Sequence, residues 1–142
     1  MSTLLAALNA SASALDVQRA RIEVAVSNIA NSESTRGPDG QPYRRRDVVL
    51  ESTPPQSFDS ALGQADAVGV QVADVVEDQA PFRTRYEPAH PDADENGFVS
   101  LPNVDVPEEM VDMLGAARAY QANLQAIGLI NDTIKKALEL GK

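Results

Sequence analysis

The residues with the clearest spacing for metal chemistry lie in one short stretch, Asp92–Gly97 (Asp-Ala-Asp-Glu-Asn-Gly). Carboxylates and an amide at alternate positions before a glycine match the first half of a helix–loop–helix calcium site. The twelfth position of such a loop carries a bidentate glutamate, but here it is Asn103. Pro91 and Pro102 also disfavour flanking helices. We therefore interpret the stretch as a polar turn and expect no metal site, with a calcium-binding module as the weaker alternative.

Other residue types that catalyse reactions are isolated in this chain. His90 is the only histidine, and no serine, cysteine or second histidine makes a triad or a metal cluster around it, so we interpret it as a loop residue. The paired carboxylates Glu108 and Glu109 have a sufficient structural role at the start of a helix. No glycine-rich phosphate loop is present. We expect no enzyme activity, no catalytic residue, no cofactor and no small-molecule substrate.

A basic run, Arg44–Arg46, stands out in a chain of net charge −9. Three guanidinium groups could bind phosphate. In so acidic a chain, we favour ion pairs over phosphate binding, with carboxylates of a neighbouring subunit or of the chain's own helices as the partners. A solvated cluster with no functional role is an alternative of equal weight to these ion pairs. The overall acidity argues against nucleic acid as a partner, because that partner needs a basic footprint. No stretch approaches the roughly 20 apolar residues of a membrane span.

Two segments with helical periodicity must position these residues. In residues 3–31 apolar side chains recur every seven residues, at Leu8, Leu15, Ile22 and Ile29, with a second row at Leu5, Ala12 and Val26 that Arg19 interrupts. The segment contains no proline or glycine, so about 29 residues form one helix of roughly 43 Å. The chain is 43% hydrophobic but only 4% aromatic, which suits long helices packed closely together.

The C-terminal segment repeats this pattern more strongly. One row is Met110, Ala117, Leu124, Asn131 and Leu138, and the other is Met113, Tyr120, Ile127 and Ile134. Asp105 is the predicted N-cap, with Glu108 three residues later as in a capping box, and Gly141 is the predicted stop. The spacing predicts a helix of about 35 residues, roughly 52 Å long.

Between the helices the pattern changes to short strands. Strands are predicted at 47–51, 70–76, 83–87 and 98–101, with a loop over 53–69. The fold class is mostly α with a small β insert: long N- and C-terminal helices form a coiled coil around a short antiparallel β-rich middle region. The predicted organisation is an N-terminal helix over 1–32, an extended and β-rich insert over 33–104, and a C-terminal helix over 105–142.

Such helices cannot hide their apolar faces on so small an insert. Copies of the chain or similar subunits could cover them, and contacts between unlike patches propagate as a helical filament. The alternative is a soluble adaptor or chaperone, a helical hairpin that forms a closed oligomer.

Several motifs resemble the bacterial flagellar rod and hook family. They are Ser27-Asn-Ile-Ala-Asn31, Ser34-Thr-Arg-Gly37 and Tyr43-Arg44 near the N-terminus, and Asn103-Val-Asp105, Glu109-Met-Val111 and Ala119-Tyr-Gln-Ala-Asn123 near the C-terminus. The insertion Pro38–Pro42 is typical of proximal rod members. The resemblance covers nearly the whole chain.

The resemblance implies a structural subunit of the basal-body proximal rod, which polymerises through its terminal helices, transmits torque and lines the export channel. It implies contacts with copies of itself, with other rod proteins and with the export gate or membrane-ring base. It further implies a periplasmic location, reached through the flagellar type III export apparatus without a cleaved signal peptide. The residues expected at assembly interfaces are Asn28, Ile29, Asn31, Tyr43, Arg44, Arg45, Met110, Met113, Tyr120, Gln121, Asn123, Leu124, Ile127, Asn131 and Ile134.

Overall fold

The computed structural model describes residues 2–53 and 69–140. Along the sequence, four strands lie between two long helices. The elements are, in order, α1 (Ser2–Ala30), β1 (Arg46–Ser52), β2 (Val70–Glu77), β3 (Arg83–Tyr86), β4 (Phe98–Leu101) and α2 (Val106–Leu140). The predicted helices are confirmed at 29 and 35 residues, and each predicted strand is present. Most of the predicted loop over 53–69 and the predicted stop at Gly141 lie outside the described residues.

The helix boundaries follow from local side-chain chemistry. At the start of α2 the Asp105 carboxylate accepts a hydrogen bond from the Glu108 backbone N–H at 3.4 Å, and the Asp105 carbonyl accepts one from the Glu109 N–H at 3.0 Å. Asp105 is therefore the N-cap, as predicted. At the end of α1, the Asn31 backbone N–H and the Asn31 side-chain amide both donate to the Ser27 carbonyl, at 3.1 and 2.9 Å, so the side chain reinforces the last helical hydrogen bond. Neither helix is long and apolar enough to cross a membrane within the described residues.

The strands form two separate two-stranded sheets. In one, β3 pairs with β4 in antiparallel register, Arg83 opposite Leu101 and Tyr86 opposite Phe98. In the other, β1 pairs with β2, and Thr53 N–H bonds to Gly69 C=O while Asp78 N–H bonds to Arg45 C=O. The residue before β1 thus bonds to the residue after β2, and the residue after β1 bonds to the residue before β2, so this sheet is antiparallel as well. The small antiparallel middle region is thus confirmed.

The described residues divide into two compact units, each built from parts of both helices and of the middle region. The first contains residues 2–20, 49–53, 69–74 and 115–140, and the second contains residues 21–48 and 75–114. In the second unit Val99, Leu101 and Val104 are buried together with Ala25, Asn28 and Glu109. The second unit therefore includes two polar side chains in its interior, and these organise the candidate site.

Burial along the helices differs from the predicted pairing of rows. On α2 the row Met113, Tyr120, Ile127 and Ile134 is half-buried as expected, but its companion is Glu109, Ala116, Asn123 and Ile130. The other predicted row is open to solvent, with Met110 53%, Leu124 47% and Leu138 56% exposed. The same holds on α1, where Leu5 and Val26 are exposed while Val17, Ala25 and Asn28 are buried. We call the two buried or half-buried sets together the inward row of α2. A search for apolar spacing misses the companion set because it contains an acid, Glu109, and an amide, Asn123.

Candidate functional site

The side chain of Asn28, on the last turn of α1, lies at the centre of the candidate site. It is fully buried and makes four hydrogen bonds. Its Oδ1 accepts from the Tyr43 hydroxyl at 2.9 Å and from the Arg46 backbone N–H at 2.9 Å. Its Nδ2 donates to the Arg46 carbonyl at 2.8 Å and to Oε2 of Glu109 at 2.9 Å. An asparagine amide carries two donors and two acceptor lone pairs, so Asn28 is saturated.

The two bonds to Arg46 make the Asn28 amide behave like a neighbouring strand. It accepts from the N–H and donates to the C=O of the same residue, which is how paired residues exchange hydrogen bonds in an antiparallel ladder. Because Arg46 is the first residue of β1, Asn28 positions the start of that strand against the end of α1. The contact requires an amide, since neither a carboxylate nor a hydroxyl can supply both groups in this geometry.

Glu109 on the first turns of α2 is the buried charge of the site. Its side chain is 2% exposed, and its Oε1 accepts a 2.6 Å hydrogen bond from Nε of Arg45, whose side chain is 17% exposed. The other oxygen, Oε2, accepts from Asn28. One carboxylate thus connects α1, the segment before β1 and α2 through contacts between residues 64 and 81 positions apart. A buried carboxylate is tolerated when it is paired and hydrogen-bonded in this way.

The Arg45 guanidinium has further acidic neighbours. Asp47, Asp112 and Asp78 lie at 3.6, 3.8 and 4.0 Å from its nitrogens. Burial lowers the pKa of Arg45, but the hydrogen bond and charge of Glu109 outweigh burial, so the net pKa lies above its ordinary value. Arg45 therefore remains charged at neutral pH, and the site contains a permanent cation.

The remaining members of the basic run have separate roles. The Arg44 guanidinium lies 4.3 Å above the ring of Phe82 and donates to the Asp78 and Ala80 carbonyls at 3.3 and 3.4 Å. The half-exposed Arg46 side chain is 3.9 Å from Glu77. In this structure, Arg45 and Arg46 therefore pair with carboxylates of their own chain, which is one of the alternatives considered for the basic run.

Comparison with known proteins decides the family. Residues 95–140 match the model of the flagellar basal body rod FlgEFG protein C-terminal region. The flagellar basal-body rod protein FlgC of Salmonella typhimurium is 47% identical to the chain over 98% of both sequences. The proteins of the same description from Bacillus subtilis and Aquifex aeolicus are 43% and 37% identical, over 99% and 100% of both chains. The chain belongs to the FlgC family of flagellar basal-body rod proteins. The family resemblance expected from the motifs is confirmed, and the chain is a structural rod subunit of the flagellum.

The motifs that carry the FlgC resemblance contribute directly to the buried network. Asn28 comes from the Ser-Asn-Ile-Ala-Asn motif, Tyr43 from the Tyr-Arg motif, and Glu109 from Glu-Met-Val. Asn103, from the Asn-Val-Asp motif, accepts a hydrogen bond from the Arg45 N–H at 2.9 Å and donates to the Asp78 carbonyl at 3.2 Å. Motifs far apart in this FlgC-family chain thus meet at one junction.

The structure separates the predicted interface residues into two groups. Asn28 is buried and Arg45 nearly so, and both bond to groups of their own chain, as do Tyr43 and Asn31. The α2 residues divide by exposure: Gln121, Leu124, Met110 and Asn131 are exposed, whereas Met113, Tyr120, Asn123, Ile127 and Ile134 are half-buried, as is Ile29 on α1. The interface role of both groups remains a prediction.

Sequence reasoning missed the partnership of Glu109 and Asn103 with Arg45. Apart from their place in the family motifs, Glu109 is interpreted from the sequence as a helix-start carboxylate and Asn103 as the wrong residue for a calcium loop. A signal was available for Glu109, since it falls four residues before Met113 and seven before Ala116, on the inward row. A charge at such a position requires a buried partner.

The calcium-like stretch forms a turn, as the polar-turn interpretation predicts. Oδ1 of Asp94 accepts from the backbone N–H groups of Asn96 and Phe98 at 2.9 and 2.8 Å, and Gly97 has a φ of +83°. Nδ1 of His90 accepts from the Asp92 N–H at 3.1 Å. These side chains therefore stabilise the backbone between β3 and β4. No group of three or more acidic, histidine or cysteine side chains in the described part of the chain could hold a metal ion.

Proposed function

We propose that this chain polymerises with other rod subunits and with copies of itself through its terminal helices, which transmit torque and line the export channel. The observation that supports this proposal is the outward row of α2, defined by Met110, Leu124 and Leu138, each about half exposed. Large apolar side chains repeated along one side of a helix are stabilised when a neighbouring subunit removes them from water. A rod supplies such neighbours on every side.

The inward row of α2 supports the coiled-coil part of the proposal. Half-buried residues recur at alternating intervals of three and four, the spacing of a coiled-coil seam. We infer that this row packs against α1 and that the outward row packs against other subunits. The amide of Asn123 on the inward row, like Asn131 on the outward row, would favour one register over its alternatives.

The buried network gives each subunit a defined junction from which the helices extend. Asn28 and Glu109 join the end of α1 to the start of α2. If helices are to pack in register with many neighbours, the junction that orients them must be the same in every copy. We infer that Asn28 and Arg45 act on assembly through the fold of their own chain, and that Gln121 and Leu124 act by direct contact.

The location and the partners of the chain are part of the same proposal, and membership of the FlgC family supports them. The chain is exported through the flagellar type III apparatus without a cleaved signal peptide and takes its place in the periplasmic proximal rod. Its partners there are copies of itself, other rod proteins and the export gate or membrane-ring base. No catalytic role is proposed.

The test compares two adjacent exposed positions of α2. Leu124→Asp places a charge on the outward row, and Gln125→Asp places the same charge one residue away on a polar position. Both positions are exposed, so circular dichroism should show that both variants fold. In a motile host lacking the native gene, Gln125→Asp should restore basal bodies with rods, and Leu124→Asp should not, because it buries an unpaired charge at a subunit contact.

Electron microscopy of isolated basal bodies provides the measurement. Bodies that stop at the membrane-embedded base in the deletion strain would establish the rod-building role. Normal motility of the Leu124→Asp strain would contradict assembly through this row. Intact rods and hooks in the deletion strain itself would favour the alternative, a helical-hairpin adaptor or chaperone that forms a closed oligomer.

A further inference from the structure

The outer face of the β3–β4 sheet concentrates the aromatic residues of this chain. Side chains alternate between the two faces of a strand, and directly opposite residues share a face. Thr84 pairs with Ser100 and Tyr86 with Phe98, while Val99 and Leu101 are buried on the other face. Together with Phe82, this outer face holds three of the six aromatic residues of the chain. We refer to Phe82, Thr84, Tyr86, Phe98 and Ser100 as the aromatic face.

The aromatic face is exposed to an unusual degree for such side chains. Tyr86 is 64% and Phe98 45% exposed, and their rings meet edge to face with centroids 5.3 Å apart. Aromatic side chains gain more from burial than any others, and they are enriched in the centres of protein–protein interfaces. In a chain with so few aromatic residues, leaving two of them in water requires a reason beyond the fold of a single copy.

A preformed groove adjoins this face. Its volume is about 600 Å³, and it lies between the loop 35–42 and the turn 91–94, with Phe82, Phe98 and Ser100 along it. Asp92 ties the two walls together, because its carboxylate accepts from the Thr35 hydroxyl at 2.9 Å and lies 3.5 Å from the Arg36 guanidinium. The groove is therefore held open by contacts within the chain.

The turn beside the groove carries negative charge. Asp94 belongs to the groove wall, Glu95 follows it directly, and both side chains are exposed. A complementary partner would present apolar side chains to the rings of Tyr86 and Phe98 and a cation to this turn. Methionine is especially suited to the rings, since its sulfur makes favourable contacts with aromatic edges.

Helix α2 of the same chain presents such a surface. Met110, Val111 and Leu114 are 53%, 69% and 51% exposed, and the exposed Arg118 follows one turn later. At 100° per residue these four positions fall within one arc of about 100° on the helix. We call them the α2 patch. The α2 patch combines a methionine, two aliphatic side chains and a single cation, which matches the aromatic face and its acidic turn.

We propose that the aromatic face of one copy binds the α2 patch of a second copy. The two surfaces are different, so the contact is heterologous: the first copy retains a free α2 patch and the second retains a free aromatic face. Such contacts extend as a helical assembly when the rotation does not close a ring. The inference rests on the proposed function only in requiring that copies of the chain lie next to one another in the rod.

Cysteine cross-linking tests this contact. The chain has no cysteine of its own, so a disulfide between two copies can form only through the introduced residues. Ser100→Cys labels the aromatic face and Val111→Cys labels the α2 patch. In basal bodies from cells that express both single variants, mild oxidation should give a covalent dimer of the chain. The exposed position Asn9 on α1 serves as the control, and Asn9→Cys combined with Ser100→Cys should give no dimer above the level of either variant alone.

Charge reversal provides the second readout. Glu95→Lys alone and Arg118→Glu alone should each lower the dimer yield by about two- to fivefold, as expected for an exposed ion pair. Combined across the contact, with Glu95→Lys in the Ser100→Cys chain and Arg118→Glu in the Val111→Cys chain, they should restore it. Independent losses with no recovery would overturn the proposed pairing.

The remaining outcomes distinguish this inference from the proposed function. If immunoblotting finds the chain in basal bodies but oxidation gives no dimer, the copy-to-copy contact is refuted and the rod assignment stands. A cross-link from Ser100→Cys to a protein of different mass would refute a second copy as the occupant. Absence of the chain from basal bodies would instead refute the proposed function.

Discussion

Replacing Asn28 with aspartate should destabilise the chain far more than its small size change suggests. Asn28→Asp keeps the shape of the side chain but turns the donor Nδ2 into an acceptor oxygen. That atom now faces the Arg46 carbonyl, 2.8 Å from Nδ2, and Oε2 of Glu109, 2.9 Å away. The side chain cannot rotate to escape, because the Tyr43 hydroxyl and the Arg46 N–H hold the other oxygen.

The magnitude follows from the two donated bonds. A hydrogen bond to a neutral carbonyl contributes about 0.5–1.5 kcal/mol net, and one to a charged group contributes about 1.5–3 kcal/mol. Their loss alone costs about 2–4.5 kcal/mol. Oxygen–oxygen repulsion adds to this, and a second buried carboxylate beside Glu109 adds more. We expect a decrease of about 3–5 kcal/mol in the free energy of unfolding.

The dependence on pH should distinguish repulsion from simple bond loss. In the folded Asn28→Asp variant, the neighbouring Glu109 carboxylate raises the pKa of the new carboxyl at position 28 above its value in the unfolded chain. Such a group destabilises the fold at neutral pH, and the deficit shrinks as the pH falls and the carboxyl takes up a proton. Asn28→Ala loses all four hydrogen bonds but gains no charge, so its deficit should not shrink in that way.

Urea unfolding followed by circular dichroism measures these differences. The control is Asn9→Asp, the same exchange at an exposed position of α1, which should change stability by less than about 0.5 kcal/mol. If Asn28→Asp were no more destabilising than Asn9→Asp, the buried network would not hold the second unit together. If Asn28→Asp and Asn28→Ala kept a constant difference from pH 8 to pH 5, the repulsion argument would fail.

The remaining predictions concern the buried ion pair and two glycines. Glu109→Gln should cost about 3 kcal/mol in urea unfolding, because the nearly buried Arg45 loses the negative charge of its 2.6 Å partner. Arg45→Met should restore part of the loss in a double-mutant cycle, and strict additivity would contradict the pairing. Gly97→Ala should lower the melting temperature more than Gly40→Ala: both have positive φ, +83° and +79°, but only at Gly97 would the new Cβ lie 2.9 Å from Cε2 of Tyr86. Equal losses at the two glycines would show that the Tyr86 ring moves aside freely.

Much of the fold could be predicted because its signals are local. Helix length followed from the absence of proline and glycine across α1 and from the cap at Asp105, and each strand followed from β-branched residues between turn signals. The turn at 37–40 likewise has a local signal, the composition Gly-Pro-Asp-Gly, and Gly40 has a φ of +79°. Local chemistry determines these features, so one sequence is enough to find them.

The inward faces of the helices could not be predicted because they depend on distant residues. Apolar spacing alone places Met110 and Leu124 on one of the two predicted heptad rows of α2, and both are exposed in a single copy. Glu109 occupies the inward row instead, since Arg45 and Asn28 supply it with a cation and an amide from elsewhere in the chain. No periodicity rule reveals a partner that is 64 or 81 residues away, and only the family motifs indicated that these residues belong together.

The polar character of this junction has a consequence for how the chain can assemble. An apolar contact tolerates small rotations and shifts, because dispersion and burial depend weakly on direction. The Asn28 network does not: four bonds of 2.8–2.9 Å converge on one amide, and a rotation that breaks any of them leaves a buried polar group unpaired. The outward row of α2, by contrast, is apolar and can adapt to different neighbours. If the chain assembles as proposed, with the same helices against unlike partners, this division suits it, because directional bonds fix each copy and adaptable apolar contacts join the copies.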